Sequence, residues 1–198
     1  MEKILLIDGQ NFKGYIQDIL SKLKGAKENY KINWAEYDFN KLLNHVLKDK
    51  KVDKRVIYFS KIKLHKDSKD KSASLIEERR LLKTHLEKQG FEVVMAGSVR
   101  GHYKGRRLIF REKGVDVRIA VDMVVMACEA KTKEIILASS DSDLQPAIKE
   151  IKNRGVRFIY LGFQSNPNVG ILSRADEFLL MRDQEVLESE INTAHLME

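Results

Sequence analysis

The sequence predicts an α/β domain with a mostly parallel central sheet and helices on both faces. Short apolar runs typical of strands alternate along the chain with longer segments in which apolar residues recur at helical spacing. The first run, residues 4–7, is apolar at every position, which is typical of a strand buried on both faces in a parallel sheet. Strands that alternate with helices are joined by right-handed crossovers, and these place helices on both sides of the sheet.

Each element follows from a local pattern. Strands are predicted, in chain order, at residues 4–7, 56–59, 91–95, 135–138 and 156–161, and helices at 12–23, 39–47, 75–89, 117–130 and 144–153. Gly90 and Gly155 are expected to end the helices that precede them, because glycine adopts the left-handed conformation common after a helix. The lysine-rich residues 61–73 are predicted to form a loop or the solvated start of a helix.

The composition is typical of a soluble globular protein with a basic balance of charge. Of the 198 residues, 43% are hydrophobic and 33% are charged, which argues against both disorder and membrane embedding. A domain of this length buries roughly 70% of its unfolded surface, enough for a core without disulfides. The net charge of +7 and the pI of about 9.3 favour polyanionic partners.

Several features indicate a cytoplasmic protein with no membrane partner. Cys128 is the single cysteine, so neither a disulfide framework nor a cysteine-rich zinc site is expected. The apolar run at residues 4–7 is too short for a signal peptide, and no later run approaches about 18 apolar residues. We expect one domain over residues 1–181 and an acidic tail, residues 182–198, that docks as a helix or is frayed. A homo-oligomer is compatible with the sequence.

Aspartates stand where predicted strands end. Asp8 directly follows the first strand, Asp141 and Asp143 follow the fourth, and Asp116 follows a glycine turn and opens a helix. Ligands of parallel α/β sheets bind beyond the carboxyl ends of the strands, so these acids are expected to meet at one edge. Gathered carboxylates repel one another, and a hard divalent ion relieves the repulsion. The pattern predicts a site for Mg²⁺ or Mn²⁺, whereas zinc fits poorly without a cysteine pair.

These polar residues also have structural interpretations. Aspartate is a preferred helix N-cap, so Asp116 and one of Asp141 or Asp143 could simply satisfy free backbone N–H groups. Asn11 could turn its amide towards a phosphate or a metal-bound water, or could cap the first helix. Both interpretations are retained for Asn11.

Asp122 is a weaker candidate. It lies about 120° around the helix from Asp116 and about 9 Å further along it. It is also four residues from Arg118, and this spacing favours an ion pair over a metal role.

Three motifs together resemble the NYN domain family of the PIN-like nuclease superfamily, most closely its bacterial LabA-type branch. They are IDGQN at residues 7–11, KGVDVRIAVDM at 113–123 and ASSDSDLQPAI at 138–148. The resemblance implies a three-layer α/β/α PIN-like (Rossmann-like) domain that binds Mg²⁺ or Mn²⁺ and acts on RNA as a ribonuclease. Its metal-site acids match Asp8, Asp116 and Asp141, a nearby acid matches Asp143, the asparagine after the first strand matches Asn11, and a recurrent family position matches Asp122.

The resemblance also assigns roles that the spacing alone does not. Asp8, Asp116 and Asp141 are expected to be ligands, and Asp143 an outer acceptor or a ligand of a second ion. Many PIN-like proteins carry a further acid on a helix between the first and third strands. The candidates for it, which no motif distinguishes, are Glu36, Asp38, Glu77 and Glu78.

A basic segment, residues 99–113, leads directly into Asp116. Cationic side chains neutralise phosphates and exposed aromatic rings stack on unpaired bases, a combination suited to single strands. The residues expected to bind nucleic acid are Arg100, Tyr103, Lys104, Arg106, Arg107, Arg111 and Lys113. The alternative is a solvated hairpin whose charges only aid solubility.

Together these patterns predict a metal-dependent nuclease with RNA, rather than DNA, as its partner, the choice of RNA being implied by the resemblance. A non-catalytic RNA-binding or scaffold protein on the same fold is the alternative, and the aspartates argue against it because acids repel phosphate. A nucleotide-binding Rossmann domain is disfavoured, because residues 8–11 lack the glycine-rich run that admits pyrophosphate.

Overall fold

The computed structural model describes residues 1–25, 30–48, 50–64, 69–104, 107–129 and 131–190, without the side chains of Lys71 and residues 100–112. The strands are β1 Glu2–Asp8, β2 Lys54–Lys61, β3 Glu92–Lys104, β4 Arg107–Lys113, β5 Thr132–Ala138, β6 Arg157–Phe163 and β7 Glu177–Met181. The helices are α1 Gly9–Leu23, α2 Phe39–Leu47, α3 Lys69–Lys88, α4 Val115–Cys128, α5 Gln145–Asn153, α6 Val169–Leu172 and α7 Asp183–Glu188, with a 3₁₀ turn at Ser142–Leu144.

The described strands form one sheet in the order β4-β3-β2-β1-β5-β6-β7. All neighbours pair in parallel except β3 and β4, which pair antiparallel. The chain builds outwards from β1 to β2 and β3 on one side, then returns to place β5, β6 and β7 on the other. The order therefore reverses between β1 and β5, and ligands of open α/β sheets bind at such a point.

Two apolar cores lie on opposite faces of the sheet, which confirms the predicted α/β fold with helices on both sides. One core contains Leu5 and Ile7 of β1 together with residues of α1, α2 and α3. The other contains Ile4 and Leu6 with residues of α4 and α5. Successive β1 side chains alternate between the faces, and all four are at most 2% exposed. The apolar run at residues 4–7 is thus a strand buried on both sides, as predicted.

Helix ends follow the expected local chemistry. Asp8 caps α1, since its carboxylate Oδ1 accepts a hydrogen bond from the Asn11 backbone N–H at 3.1 Å. Gly90 and Gly155 follow α3 and α5 with φ of 84° and 78°, so both predicted helix stops are confirmed.

Strands β4 and β7 were not among the strands predicted, although a hairpin was the alternative considered for the basic segment. Strand β3 runs well past its predicted end at residue 95, and its extension pairs with β4, so much of the basic segment is a β-ribbon. Strand β7 has five residues on an open edge, with Phe178 53% exposed, and therefore lacks the buried apolar run that marks the inner strands. Helix α3 begins at Lys69, six residues before its predicted start.

The described part of the acidic tail docks as a helix. Val186 of α7 is fully buried, and its carbonyl oxygen accepts a hydrogen bond from the Tyr37 hydroxyl at 2.9 Å. The rest of the tail, residues 191–198, lies outside the described residues. Among the helices in the described ranges, none combines the length and the apolarity needed to span a bilayer.

Candidate metal centre

A polar cleft of about 420 Å³ opens at the carboxyl ends of β1 and β5, where the strand order reverses. Ile7 of β1 pairs with Ala138 of β5, so Asp8 and the residues after Ala138 leave the sheet side by side. The amino end of α4 closes the cleft from the face that carries α4 and α5. The residues lining it are Asp8, Gln10, Asn11, Lys113, Gly114, Val115, Asp116 and Asp141.

Three carboxylates converge at this cleft. Asp116, Asp141 and Asp143 each offer an oxygen, and these oxygens lie within 4.8 Å of one another. An ion bound at about 2.1 Å holds its ligand oxygens about 3–4 Å apart. Small side-chain rotations therefore bring the three groups to the spacing of a shared ion, and an all-oxygen set suits the hard cations Mg²⁺ and Mn²⁺. We call Asp116, Asp141 and Asp143 the acidic trio.

Asp116 belongs to the first turn of α4 but does not cap it. The N-cap residue is Gly114, which has φ of 85° and no side chain to bond the free N–H groups. The predicted cap interpretation of Asp116 is therefore wrong. A carboxylate in the first turn still gains from the partial positive charge of the helix terminus.

Asp141 and Asp143 are held together by a local turn. The Asp143 backbone N–H donates to Asp141 Oδ1 at 2.9 Å, and the Asp141 N–H donates to the hydroxyl of buried Ser139 at 3.2 Å. The cap interpretation thus holds for Asp141. A carboxylate has two oxygens with about four acceptor sites, so capping one N–H does not prevent metal binding.

Asp8 lies in the cleft but is not a member of the trio. Its side chain caps α1, and the residue is only 8% exposed. We expected Asp8, Asp116 and Asp141 to be ligands with Asp143 further out. Among the described residues, the structure instead groups Asp143 with Asp116 and Asp141. Asp8 borders the same cleft from the side of β1.

Asn11 and Asn168 clamp the loop that carries the trio. Asn11 Oδ1 accepts a hydrogen bond from the Ser140 backbone N–H at 3.1 Å, so its side chain does not cap the first helix. From the other side, Asn168 Nδ2 donates to the Ser140 carbonyl at 2.8 Å and to the Ser142 hydroxyl at 3.2 Å. The backbone N–H and the backbone carbonyl of Ser140 are therefore both held by asparagine side chains.

Asn168 was missed by the sequence analysis. It is the N-cap of α6, and its Oδ1 accepts from the Ile171 N–H at 3.0 Å. Its position soon after a buried strand, in Asn166-Pro167-Asn168, is the signal that could have indicated a role at the same sheet edge.

Asp122 makes the ion pair that its spacing predicts. Arg118 Nε donates to its Oδ1 at 2.8 Å, and the hydroxyl of Tyr58 donates to its Oδ2 at 3.0 Å. Burial, followed by the negative charge of Asp122, raises the pKa of Tyr58 above its ordinary value. Asp122 is thus engaged away from the trio.

A close backbone contact fixes the ribbon next to the site. Gly97 of β3 has φ of 62°, and a Cβ at this position would lie 2.2 Å from the carbonyl oxygen of Lys113. Glycine is required there for both reasons. The contact holds Lys113 and Gly114 against β3, and so sets where α4 and Asp116 begin.

The basic ribbon reaches the site through Lys113, an exposed residue that lines the cleft. In the ribbon, the backbone of Arg100 pairs with that of Arg111, and Lys104 pairs with Arg107. Arg106 lies outside the described residues, as do the side chains of Arg100, Tyr103, Lys104, Arg107 and Arg111.

The four acids considered as a further metal-site residue lie in different surroundings. Asp38 caps α2 through the Lys41 N–H at 2.9 Å, and Glu77 forms an ion pair with Arg80 at 2.6 Å. Glu36 is exposed in the loop before α2. Glu78 lines a second cleft that shares Gln10 with the polar one.

Comparison with known proteins gives a family and a fold. A family model described as NYN domain matches residues 3–182. A crystal structure of a protein of unknown function from Vibrio parahaemolyticus is similar, with a TM-score of 0.56 and 20% sequence identity over 91% of this chain and 92% of that chain. A comparison with curated proteins finds no match. At this identity the structural likeness shows the fold alone.

Proposed function

The chain belongs to the NYN domain family, whose members are generally nucleases of the PIN-like superfamily, and from this premise we propose that it is a metal-dependent ribonuclease. It hydrolyses phosphodiester bonds of single-stranded RNA with Mg²⁺ or Mn²⁺ as its cofactor. Within the family we place it in the LabA-type branch, on the motifs at residues 7–11, 113–123 and 138–148.

The acidic trio carries this proposal. Three carboxylates within 4.8 Å of one another are unfavourable without a cation, because each pair repels. They stand at the switch point of the sheet, in a cleft open to solvent, and sequence-local capping accounts for Asp141 alone. A divalent ion explains why all three are gathered there.

Each residue then has a role suited to its position. A bound divalent ion would act as a Lewis acid that lowers the pKa of water and neutralises charge developing on the phosphate. Asp116, Asp141 and Asp143 would hold that ion, and Asp8 would face it or its waters from the side of β1. Asn11 would keep the 140–143 loop in place through the Ser140 N–H.

Lys113 supplies positive charge at the mouth of the cleft, next to Asp116. A lysine ammonium is a compact donor that contacts a phosphate oxygen without a fixed orientation. The ribbon beyond it would carry the phosphates of the flanking strand, through the basic residues predicted to bind nucleic acid. RNA is the proposed substrate on family grounds, and the physical argument applies to any single strand.

The proposal is tested by cleavage of labelled single-stranded RNA by purified protein with Mg²⁺, with Mn²⁺ and with EDTA. We expect cleavage that requires metal, and a loss of at least about 100-fold in Asp116→Asn and Asp141→Asn, the order of magnitude that a preorganised charge contributes to a rate. Asp18→Asn is the matched control, since Asp18 is an exposed aspartate on α1 outside the cleft, and should retain full activity.

Metal-independent cleavage, or full activity in both trio variants, would contradict the proposal. Tight RNA binding with no cleavage under any metal condition would favour a non-catalytic RNA-binding protein. Comparing single-stranded DNA in the same assay decides between the two nucleic acids.

A further inference from the structure

A second cleft, of about 380 Å³, opens beside the polar cleft at which the acidic trio lies. It lies on the opposite face of the sheet. Gln10, in the first turn of α1, lines both clefts, and Ile62, just past the end of β2, lies in the wall of the second. Both clefts therefore open at the same carboxyl edge, and Gln10 lies between them. A strand whose phosphate reaches the trio is adjacent to this second opening.

The second cleft has an aromatic wall that is anchored from behind. Trp34 is half-buried, with its ring centroid 5.8 Å from that of Tyr37 and 6.2 Å from that of Phe39. Both of these rings are at most 1% exposed. The indole is thus held by the core while part of it faces the cleft, which makes it a rigid surface for stacking.

Two cations that line this cleft lie over aromatic rings, one over Trp34 of the cleft wall and the other over Phe59, which is buried in the core. The ammonium of Lys13 is 4.5 Å from the centroid of Trp34, and the guanidinium of Arg79 is 4.2 Å from that of Phe59. Attraction between a cation and the ring face is an electrostatic contact that a flat, polarisable ligand can share or replace. The rest of the wall is largely aliphatic, and Glu78 is also present.

These features favour a base over a phosphate as the occupant. The two cations of the cleft already lie over aromatic rings, and the aliphatic wall and the Glu78 carboxylate disfavour a phosphate. A nucleobase has apolar faces that stack on indole and polar edges that can reach Gln10 or Asn33. The volume is within the roughly 300–1,000 Å³ range of small-ligand sites. The base must be unpaired, because a paired base cannot enter a cleft.

We propose that this cleft binds an unpaired nucleobase that flanks the phosphate at the acidic trio, with Trp34 as the stacking surface. The proposal rests on the proposed nuclease function, and it identifies the substrate as single-stranded. Lys13 leaves the indole when the base enters and moves towards the backbone of the bound strand. The site then selects strands with a free base next to the scissile bond.

The chain contains a single tryptophan, so its fluorescence reports on this cleft directly. A short oligouridine is titrated into the Asp116→Asn variant, which prevents cutting, with excitation at wavelengths that tyrosine does not absorb. We expect the emission of Trp34 to be quenched in a saturable way. An abasic oligonucleotide of the same length, which keeps the phosphates but has no bases, should bind with little quenching.

Affinity gives an independent measurement. Trp34→Leu should weaken binding of the oligouridine by roughly 10- to 100-fold, the range for loss of a base–aromatic stack, whereas Trp34→Phe should weaken it much less. Circular dichroism and thermal unfolding check that both variants are folded. Neither variant is needed for the fluorescence titration, which stands by itself.

The outcomes separate the two proposals. If the wild type cleaves RNA with metal but oligouridine binds without quenching, or the abasic strand quenches equally, the base site is wrong and the nuclease stands. If no nucleic acid is bound or cleaved, the nuclease proposal fails and the base site fails with it.

Discussion

Removing one charge from the acidic trio should raise the stability of the metal-free protein. It should also reduce the stability that the protein gains when metal binds. The substitution is Asp143→Asn, which keeps the size and the backbone N–H that donates to Asp141. Asp143 is exposed and lies within 4.8 Å of two other carboxylates, so each repulsion is worth about 0.9 kcal/mol in water before salt screening. Removing two such repulsions gives roughly 1–2 kcal/mol.

This free energy is large enough to measure. In EDTA at low salt, Asp143→Asn should unfold about 2–8 °C above the wild type, given a shift of about 2–4 °C per kcal/mol for a chain of this size. Added Mg²⁺ should then narrow this difference. At a metal concentration tenfold above Kd the wild type gains about 1.4 kcal/mol, and the variant gains less.

Differential scanning calorimetry in EDTA and in Mg²⁺ measures both effects, with Asp18→Asn as a matched loss of one exposed charge. A variant that is no more stable than wild type in EDTA and that gains equally from Mg²⁺ would refute the argument. The three carboxylates would then be neither mutually repulsive nor joined by an ion.

Three further predictions concern residues around the site. Asn168→Ala should lower the apparent metal affinity by about 10-fold, because it frees the Ser140 carbonyl from its clamp, and metal titration of cleavage or of thermal stability measures this. Burial raises the pKa of Tyr58 in the folded state above its ordinary value of 10. The stability that the buried phenol contributes is therefore complete below pH 10 and is lost as the pH rises above 10, where the unfolded chain ionises. Tyr58→Phe should flatten the alkaline loss of stability in denaturant titrations, and an unchanged slope would contradict this. Gly97→Ala should cost more than about 2 kcal/mol in chemical denaturation, whereas Gly25→Ala, with nearly the same φ but no described atom within 4 Å of its Cβ position, should cost only about 1 kcal/mol.

The inner part of the fold could be predicted because its signals are local. The apolar run at residues 4–7 and the stops at Gly90 and Gly155 each depend on a few neighbouring residues, and the structure confirms them. The missed strands depend on distant pairing instead. The β3 extension is fixed by its register with β4, and β7 is an edge strand whose side chains are mostly only half-buried.

The candidate site could be located from sequence but not resolved in detail. Strand ends predicted that Asp8, Asp116 and Asp141 would share one edge, and all three line one cleft. The place of Asp143 beside Asp116 and Asp141 depends on a turn in which the Asp143 N–H donates to Asp141. No spacing rule indicates that geometry. Asp8 is separated from the trio because α1 begins at the next residue and uses its carboxylate as a cap.

The contacts that Asn168 and Trp34 make with distant segments could not be predicted from the sequence. Asn168 meets Ser140 across 28 positions of sequence, and Trp34 meets Lys13 only after the loop before α2 has folded onto α1. Single asparagine or tryptophan residues carry no pattern that a periodicity can detect. They become informative only once the sheet order is known.

The position of a bound Mn²⁺ ion would test the metal site without relying on activity. Crystals grown or soaked in Mn²⁺ would locate it from its anomalous scattering, with Asp116→Asn as the comparison. We expect a peak among the carboxylates of Asp116, Asp141 and Asp143, which is lost or weakened in the variant. A peak elsewhere, or no peak at a concentration that supports cleavage, would contradict this expectation.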